Sequence, residues 1–328
     1  MNLKLLEKLT QTFGPSGYED EIRAVIRAEV ESFADEIHVD PLGSLVAYRQ
    51  GSGGGKKIAV AAHMDEVGLM ATYVEEKGYV RFTLIGGGIW PGVGSRVRFA
   101  DGTTGVIAVE HRDDATTMPE IHHLYIDVGA TGRADCPVVV GAPAQFIGPL
   151  VHQGQRVISK TLDDRVGCYI LIEVLRQLND TPHDLYAIFS TQEEITLAGA
   201  RTAAFRIDPD IAISIDVTAT GDTPKALPMA VELGKGPAIK VKDSGMMAHP
   251  LVRDRLVEAA RKAGVPFQME VLTRGSTDAA AMQLVRSGVP SGCLSIPCRF
   301  LHSPSEMADE ADIDNAIRLL LTALHTVA

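Results

Sequence analysis

The sequence lacks any long apolar run and has little positive charge. Its 328 residues carry 31 Lys and Arg against 42 Asp and Glu, which gives a formal net charge of −11. Such a chain is repelled by nucleic acid and by anionic membrane surfaces. No apolar run approaches the roughly 18 residues needed to span a bilayer. We therefore expect no nucleic-acid or membrane partner, and instead small molecules, peptides or copies of the chain itself.

Cysteine is also scarce, with four residues and no C-x-x-C spacing. This pattern indicates neither a zinc ribbon nor a disulfide framework, and it suits a reducing compartment. Residues 1–10 are interrupted by charges and contain no apolar segment typical of a secretory signal. Together these features predict a cytoplasmic protein.

Much of the chain has the texture of an α/β fold. Residues 57–63, 184–191 and 210–218 are apolar runs typical of buried strands in a sheet covered on both faces. Residues 166–178 instead repeat their apolar positions at the helical period. We predict a three-layer α/β/α domain around a mixed sheet, which the length of the chain is sufficient to fill.

Residues 69–148 differ from the rest of the chain. Short alternating segments are separated there by glycine turns, a pattern that predicts a small β-barrel or PDZ-like domain. We interpret it as an insertion, with residues 1–67 and 150–328 forming the catalytic domain and residues 68–149 the inserted one. Trp90, the only tryptophan, lies in a Gly- and Pro-rich loop of this region and is a candidate contact for substrate or a partner subunit.

The acidic pair Glu193-Glu194 follows one of the predicted buried strands. Two adjacent carboxylates at a buried strand end repel each other and resist desolvation, so they require a positive charge nearby. No Lys or Arg lies within five residues of the pair. A metal centre would supply the charge. The alternative is a solvated loop before a helix, where Glu is favoured at the N-terminal end.

Other candidate ligands lie at equivalent places in the chain. They are His63, Asp216 and His302, at or just beyond predicted strand ends, and Asp163, at a predicted helix start where either Asp163 or Asp164 is a possible N-cap. In open α/β sheets such ends lie on one rim, where ligands bind. His and carboxylate side chains converging there can hold two first-row metal ions, with zinc, cobalt and manganese all compatible.

Two further carboxylates have predicted roles beside these ligands. Asp65 lies two residues after His63, on the same face of a strand, and an Asp that receives one ring N–H leaves the other nitrogen free for a metal. One acid must remain unligated to move protons, and Glu193, beside a ligand, is well placed for this. Two adjacent ions would activate the attacking water.

Seven segments carry a resemblance to a known family. They are Gly14-Pro-Ser-Gly-Tyr-Glu19, His63-Met-Asp-Glu-Val-Gly68, Leu162-Asp-Asp-Arg165, Glu193-Glu194, Asp216-Val-Thr, Gly275-Ser-Thr-Asp278 and His302-Ser-Pro304. In this order, over essentially the whole chain, they resemble the dinuclear-metal aminopeptidases of the tetrahedral (TET) and glutamyl-aminopeptidase family. The resemblance implies the zinc-exopeptidase fold and a two-metal aminopeptidase that removes N-terminal residues from peptides.

The resemblance also assigns residue roles. Asp163 would bridge two divalent ions, zinc first; His63 and Asp216 would complete one site, and Glu194 and His302 the other. Glu193 would be the general base, with Asp65 orienting His63. The inserted domain would form dimers, which would assemble into a tetrahedral dodecamer.

One segment departs from the family pattern. After the acidic pair the family usually reads Val-Gly-Leu-Arg-Gly, whereas this chain has Ile195-Thr-Leu-Ala-Gly199. Because Thr196 and Ala198 replace the usual residues close to the site, no side-chain preference is transferred. We predict that residues 245–249 and 299–301 line the substrate pocket, although His249 is more typical of a loop histidine.

Three alternatives remain open. An N-acyl amidohydrolase or deacylase would use the same dinuclear site. A glycoside hydrolase would use Glu193 and Glu194, but nothing places these neighbours across a sugar at the required separation of ~5–10 Å. A non-catalytic assembly protein would be expected to have lost metal ligands, and none is lost.

Overall fold

The computed structural model describes residues 1–87, 92–112 and 117–326, so Trp90 lies outside the described residues. Within those ranges, no helix is both long enough and apolar enough to cross a membrane. The helices are α1 (Leu3–Gln11), α2 (Asp20–Val30), α3 (Leu162–Gln177), α4 (Glu193–Thr196), α5 (Ala198–Ile207), α6 (Pro250–Ala263), α7 (Asp278–Met282) and α8 (Glu310–Thr326), with a 3-10 turn at Ile121–His123.

The strands form two separate groups, a large sheet and a closed barrel. They are β1 (Glu36–Val39), β2 (Leu45–Arg49), β3 (Lys57–His63), β4 (Gly68–Val74), β5 (Val80–Ile85), β6 (Arg96–Phe99), β7 (Thr104–Val109), β8 (Leu124–Asp127), β9 (Pro143–Phe146), β10 (Val151–Gln153), β11 (Arg156–Ser159), β12 (Asp184–Ser190), β13 (Ile211–Thr218), β14 (Ala238–Lys242), β15 (Gln268–Val271), β16 (Ser291–Arg299) and β17 (Glu306–Asp309).

The larger sheet is mixed, as predicted. Its strand order is β1-β2-β12-β3-β13-β16-β17-β11-β10, and β14 branches from β16 to pair with β15. The central strands β12, β3, β13 and β16 run parallel, whereas β2 and β17 join them antiparallel. The parallel centre explains why the apolar runs in β3, β12 and β13 are continuous, because both faces of such strands are buried.

Helices cover both faces of this sheet and form the predicted three layers. Successive side chains of β3 point to opposite faces: Ile58 and Val60 join a core with α1, α2, α3, α6 and α8. Ala59 and Ala61 join the core under α5 and α7 on the other face. The small residues on that side allow the two shorter helices to pack close to the sheet.

The second block of strands closes into a six-stranded antiparallel barrel in the order β4-β5-β8-β7-β6-β9. Its interior is a separate apolar core that includes Leu69, Phe82, Phe99 and Ile126. Closure removes the free strand edges that an open sheet of this size would expose. The barrel strands extend from Gly68 to Phe146, and the predicted small β-barrel is therefore confirmed.

Candidate active site

The parallel strands bring the predicted site residues to one rim of the sheet. His63 is the last residue of β3 and lies in register with Ser190, the last residue of β12, so the acidic pair that follows β12 emerges beside His63. Asp216 lies near the end of β13, and His302 lies shortly after β16.

Asp163 lies between the two histidines. Its Oδ1 is 3.0 Å from His63 Nε2, and its Oδ2 is 3.2 Å from His302 Nε2. Each carboxylate oxygen therefore faces a different imidazole. This is the arrangement of a carboxylate that can serve two cations at once.

Both histidines turn the same nitrogen toward the site. The Nδ1 atom of His63 lies 3.2 Å from the Asp65 carbonyl oxygen and 3.4 Å from Asp65 Oδ1. The Nδ1 atom of His302 lies 2.5 Å from the Gly87 carbonyl oxygen. An oxygen that accepts the Nδ1 proton fixes the tautomer of the neutral ring, so that Nε2 is the nitrogen available to bind a metal.

The remaining acids surround this centre. Glu194 Oε2 lies 3.4 Å from His302 Nε2, and Asp216 Oδ1 lies 4.0 Å from His63 Nε2. Glu193 Oε2 lies 3.9 Å from the same nitrogen of His63. The structure therefore brings together all the residues that the sequence predicts for the site.

Asp65 is a buried carboxylate that contacts His63 and accepts several hydrogen bonds. Its two oxygens accept the backbone N–H groups of Glu193 and Glu194 at 3.1 and 3.2 Å. The hydroxyl of Ser16 donates to it at 2.5 Å. Although burial opposes ionisation, the hydrogen bond from His63 lowers the pKa of Asp65. Asp65 thus ties the acidic pair to His63 and stays charged.

Two residues absent from the predicted site belong to it. Glu306, at the start of β17, accepts the backbone N–H groups of Asp163 and His302, each at 2.8 Å. Asp164 groups with His63 and Asp216, and their candidate ligand atoms lie within 4.8 Å of one another. The adjacent acids in Leu162-Asp-Asp-Arg165 could have identified Asp164 from sequence. No comparable sequence pattern in β17 identifies Glu306.

The two acids predicted as possible N-caps differ in role. Asp164 makes the bond typical of an N-cap, accepting the Gly167 N–H at 3.1 Å. The Asp163 carboxylate contacts only the two histidines among its recorded side-chain partners. The peptide bond between the two is cis.

Burial raises the pKa values of several of these acids. Desolvation, together with neighbouring carboxylates, raises the pKa of Glu194 to about 8 and that of Asp216 to about 7. The pKa of Glu193 is raised well above its ordinary value, again chiefly by burial. Repelling acids in a dry site call for a positive charge.

The donor set fits divalent metal ions. Oδ2 of Asp164 and Oε1 of Glu194 are buried without a hydrogen-bond partner, and a cation would satisfy both. His63, Asp163 and Glu194 form a second possible metal-binding group, which shares His63 with the group of Asp164 and Asp216. Imidazole nitrogens mixed with carboxylate oxygens suit first-row ions such as zinc.

A cavity of about 740 Å³ opens onto the site. Its walls come from the segments after β12 and β13, the segment after β15 and the loop after β16, including Ile195, Thr196, Leu197, Leu227, Met229, Val271, Leu272, Arg274 and Leu301. Thr196, one of the two departures from the family pattern, therefore contributes to the wall. Ala198 does not.

The predicted pocket lining is largely wrong. Residues 245–249 do not line the cavity, because Met246 and Ala248 are buried in the core against α7. His249 is the N-cap of α6, where its Nδ1 accepts the Leu251 N–H at 3.2 Å. Of residues 299–301, only Leu301 reaches the cavity.

Comparison with known proteins decides the family. The model of the M42 glutamyl aminopeptidases matches residues 43–319. The chain belongs to the M42 family. A putative aminopeptidase of Acetivibrio thermocellus is 46% identical to it over 323 residues, covering 98% of this chain and 97% of the relative.

Solved M42-like structures share the whole fold. An aminopeptidase from the archaeon Desulfurococcus kamchatkensis superposes with a TM-score of 0.95 at 38% identity, over 99% of this chain and 94% of that one. The Pyrococcus horikoshii TET1 peptidase, which assembles into a tetrahedron or a large octahedral shell, gives 0.89 at 31% identity over 98% of each chain. The predicted family, fold and aminopeptidase activity are confirmed.

Proposed function

We propose that this M42 aminopeptidase works with two divalent ions, zinc first, with cobalt and manganese also compatible. The position of Asp163 between His63 and His302 is the observation that carries the proposal, because each of its oxygens faces one imidazole. His63 and Asp216 would hold one ion, Glu194 and His302 the other, and Asp163 both. When bound, such a pair polarises a carbonyl and makes water acidic.

Glu193 is the general base in this proposal. It is buried beside the site, its Oε2 is 3.9 Å from His63 Nε2, and its pKa is raised well above the ordinary value, mainly by burial. A carboxylate with a raised pKa can take a proton from the attacking water and return it to the leaving amine. Asp65 holds the backbone N–H of Glu193 in place and orients His63.

The electrostatics of the site favour a peptide with a free amino terminus. Glu193, which is not a metal ligand in this proposal, faces the cavity, and an α-ammonium group compensates its negative charge, whereas an N-acetyl group is neutral. This supports aminopeptidase activity over the alternative of an N-acyl amidohydrolase on the same centre.

The cavity walls favour uncharged side chains at the N-terminal position. Leu227, Met229 and Val271 line the cavity, and apolar walls bind apolar side chains by removing both from water. Among the described lining residues Arg274 is the only Lys or Arg, and it is solvent-exposed. We therefore propose that apolar N-terminal residues are cleaved faster than acidic or basic ones.

The assembly proposal follows from the relatives and from the barrel surface. We propose domains at residues 1–67 with 150–328 and at residues 68–149, with the latter forming dimers that build a tetrahedral dodecamer. Met118, Val139 and Val140 leave 65 to 68% of their surface exposed in this region, and such apolar exposure favours an interface. Light scattering should give the mass of a dodecamer.

The cytoplasm is the proposed location of the protein.

Paired peptides test the function. Each pair would share a sequence and differ only in a free or an acetylated N-terminus, with Leu, Glu or Lys as the first residue. We expect release of the first residue from free-amine peptides, fastest for Leu. Turnover of acetylated peptides alone would establish the deacylase instead. Cleavage of a β-glucan oligosaccharide without peptide cleavage would support the glycoside hydrolase.

A further inference from the structure

The geometry points to Glu306 as a positioning residue that fixes the spacing between Asp163 and His302. Its Oε2 accepts the Asp163 N–H and its Oε1 accepts the His302 N–H, each at 2.8 Å. Each carboxylate oxygen thus holds the backbone of a different ligand-bearing segment. The inference rests on the two-metal function proposed above.

The fold makes Glu306 rigid. It is 1% exposed and begins β17, where it pairs with Ser159 of β11. The same strand pairs with β16, the strand that leads to His302. A carboxylate on a paired strand is a more precise anchor than one on a loop.

Among the described residues, Glu306 is the recorded acceptor for both backbone N–H groups, those of Asp163 and His302. Asp163 lies at the start of α3 with backbone angles outside the helical range, φ −76° and ψ 106°, so its N–H group has no acceptor within the helix. His302 lies on a short irregular segment with a φ of 58°, a conformation that non-glycine residues adopt only when their surroundings impose it. The hydrogen bonds from these two backbone N–H groups to the two oxygens of one buried side chain supply that constraint.

Loss of Glu306 should affect the two metal sites unequally. His63 and Asp216 are positioned by paired strands of the sheet, and Asp65 anchors Glu193 and Glu194. His302 depends on Glu306 and on the Gly87 carbonyl. Asp163 would serve both sites, but only the site of Glu194 and His302 contains both groups that Glu306 holds, so that site should weaken more than the site of His63 and Asp216.

The test is Co²⁺ titration of the chelator-treated full-length protein, followed by its visible absorption and by bound-metal analysis. In Glu306→Gln the amide keeps the shape of the side chain but turns an NH₂ group toward one of the two N–H donors. We expect two equivalents in the wild type. In the variant, we expect the second equivalent to bind about 10- to 100-fold more weakly, with the first changed less than about threefold.

Asp312→Asn is the matched control. Asp312 is also buried and also accepts two backbone N–H groups at 2.7 Å each, but these belong to Gly234 and Gly236, which carry no candidate metal ligand. It should lower thermal stability without changing either Co²⁺ affinity. If Glu306→Gln does not fold, the same titration is made with Glu306→Asp. Its shorter side chain keeps the carboxylate but cannot reach both N–H donors, so the second equivalent should again bind more weakly than the first.

The outcomes separate the two proposals. If the wild type binds fewer than two equivalents, the two-metal function fails and the role of Glu306 falls with it. If the wild type binds two and the Glu306 variant binds both with unchanged affinity, only the positioning role is overturned. Equal weakening of both equivalents would also overturn it, since the predicted effect is much larger for the second equivalent than for the first.

Discussion

At the residue scale, the site depends on acids that are buried together yet have different partners. Asp65 is held ionised by His63 and by backbone N–H donors. Glu193 has no such donors to its carboxylate among the recorded bonds, and burial raises its pKa. Environments that separate the pKa values of neighbouring acids divide their roles: Asp65 orients, and Glu193 moves the proton.

The substitution Glu193→Gln tests this division. It preserves the size of the side chain but removes the proton acceptor, so we expect kcat to fall by roughly 10²- to 10⁴-fold, with little change in KM or in bound metal. Steady-state kinetics and metal analysis on the same preparation measure both. Glu173→Gln is the control, at a partly buried position on α3 that does not line the cavity. A Glu193 variant that retained most of its turnover would exclude Glu193 as the base.

The site residues that could be predicted from sequence share one property: each is recognisable from the residues next to it in the chain. His63 and the acidic pair follow apolar runs, and parallel strands bring such ends together whatever the loops do. The role of Glu306 arises from two backbone N–H groups that the chain delivers from separate segments. No side-chain pattern encodes that convergence. Positive φ values at Thr161, Gln192 and His302 are likewise imposed by tertiary contacts.

At the scale of elements, α3 contains a position where helix propensity and the geometry of the site favour different residues. Gly167 lies inside this helix, where replacing glycine by alanine ordinarily stabilises by about 0.5–1 kcal/mol. Here an added Cβ would lie 2.2 Å from Asp164 Oδ2 and 2.4 Å from its Oδ1. The buried Asp164 carboxylate would therefore have to move to admit the added Cβ.

We therefore expect Gly167→Ala to destabilise the protein, by roughly 1–3 kcal/mol in the free energy of unfolding. Chemical denaturation measures this, and Asp164→Asn combined with Gly167→Ala shows whether the two positions are coupled. A more stable Gly167→Ala variant would mean that helix propensity dominates and that the contact with Asp164 is easily relieved.

Elements with continuous apolar sequences were predictable, whereas short mixed ones were not. The run from Lys57 to His63 became β3 with the predicted bounds. In contrast β1, Glu-Ile-His-Val, and β17, Glu-Met-Ala-Asp, contain too few apolar residues to indicate a strand. They are strands because neighbouring strands offer backbone partners, and sequence periodicity does not report such pairing.

At the scale of the whole molecule, the acids of the site couple stability to pH in the metal-free enzyme. Burial and neighbouring carboxylates raise the pKa of Asp216 to about 7 and that of Glu194 to about 8. Burial opposes protonation of His302, but its bond to Asp163 raises its pKa to about 10. All three groups retain protons in the native state that the unfolded state has lost.

The free energy of unfolding therefore decreases as pH rises wherever the native state binds more protons than the unfolded state. For the two acids this window runs from about pH 4 to pH 8, and for His302 from about pH 6.5 to pH 10. We expect the melting temperature of chelator-treated protein to fall by about 5 °C or more between pH 6 and pH 8.5. Added zinc should reverse the trend, because metal binding displaces these protons. A metal-free melting temperature that rises over this range would contradict the pKa shifts.

The most direct measurement of the account is the release of N-terminal leucine as zinc is returned stepwise to chelator-treated protein. We predict negligible turnover without metal and full activity only as the second equivalent binds, since Asp163 faces both histidines and the two sites act together. Full activity in the metal-free protein, or a maximum at a single equivalent, would contradict the two-metal site.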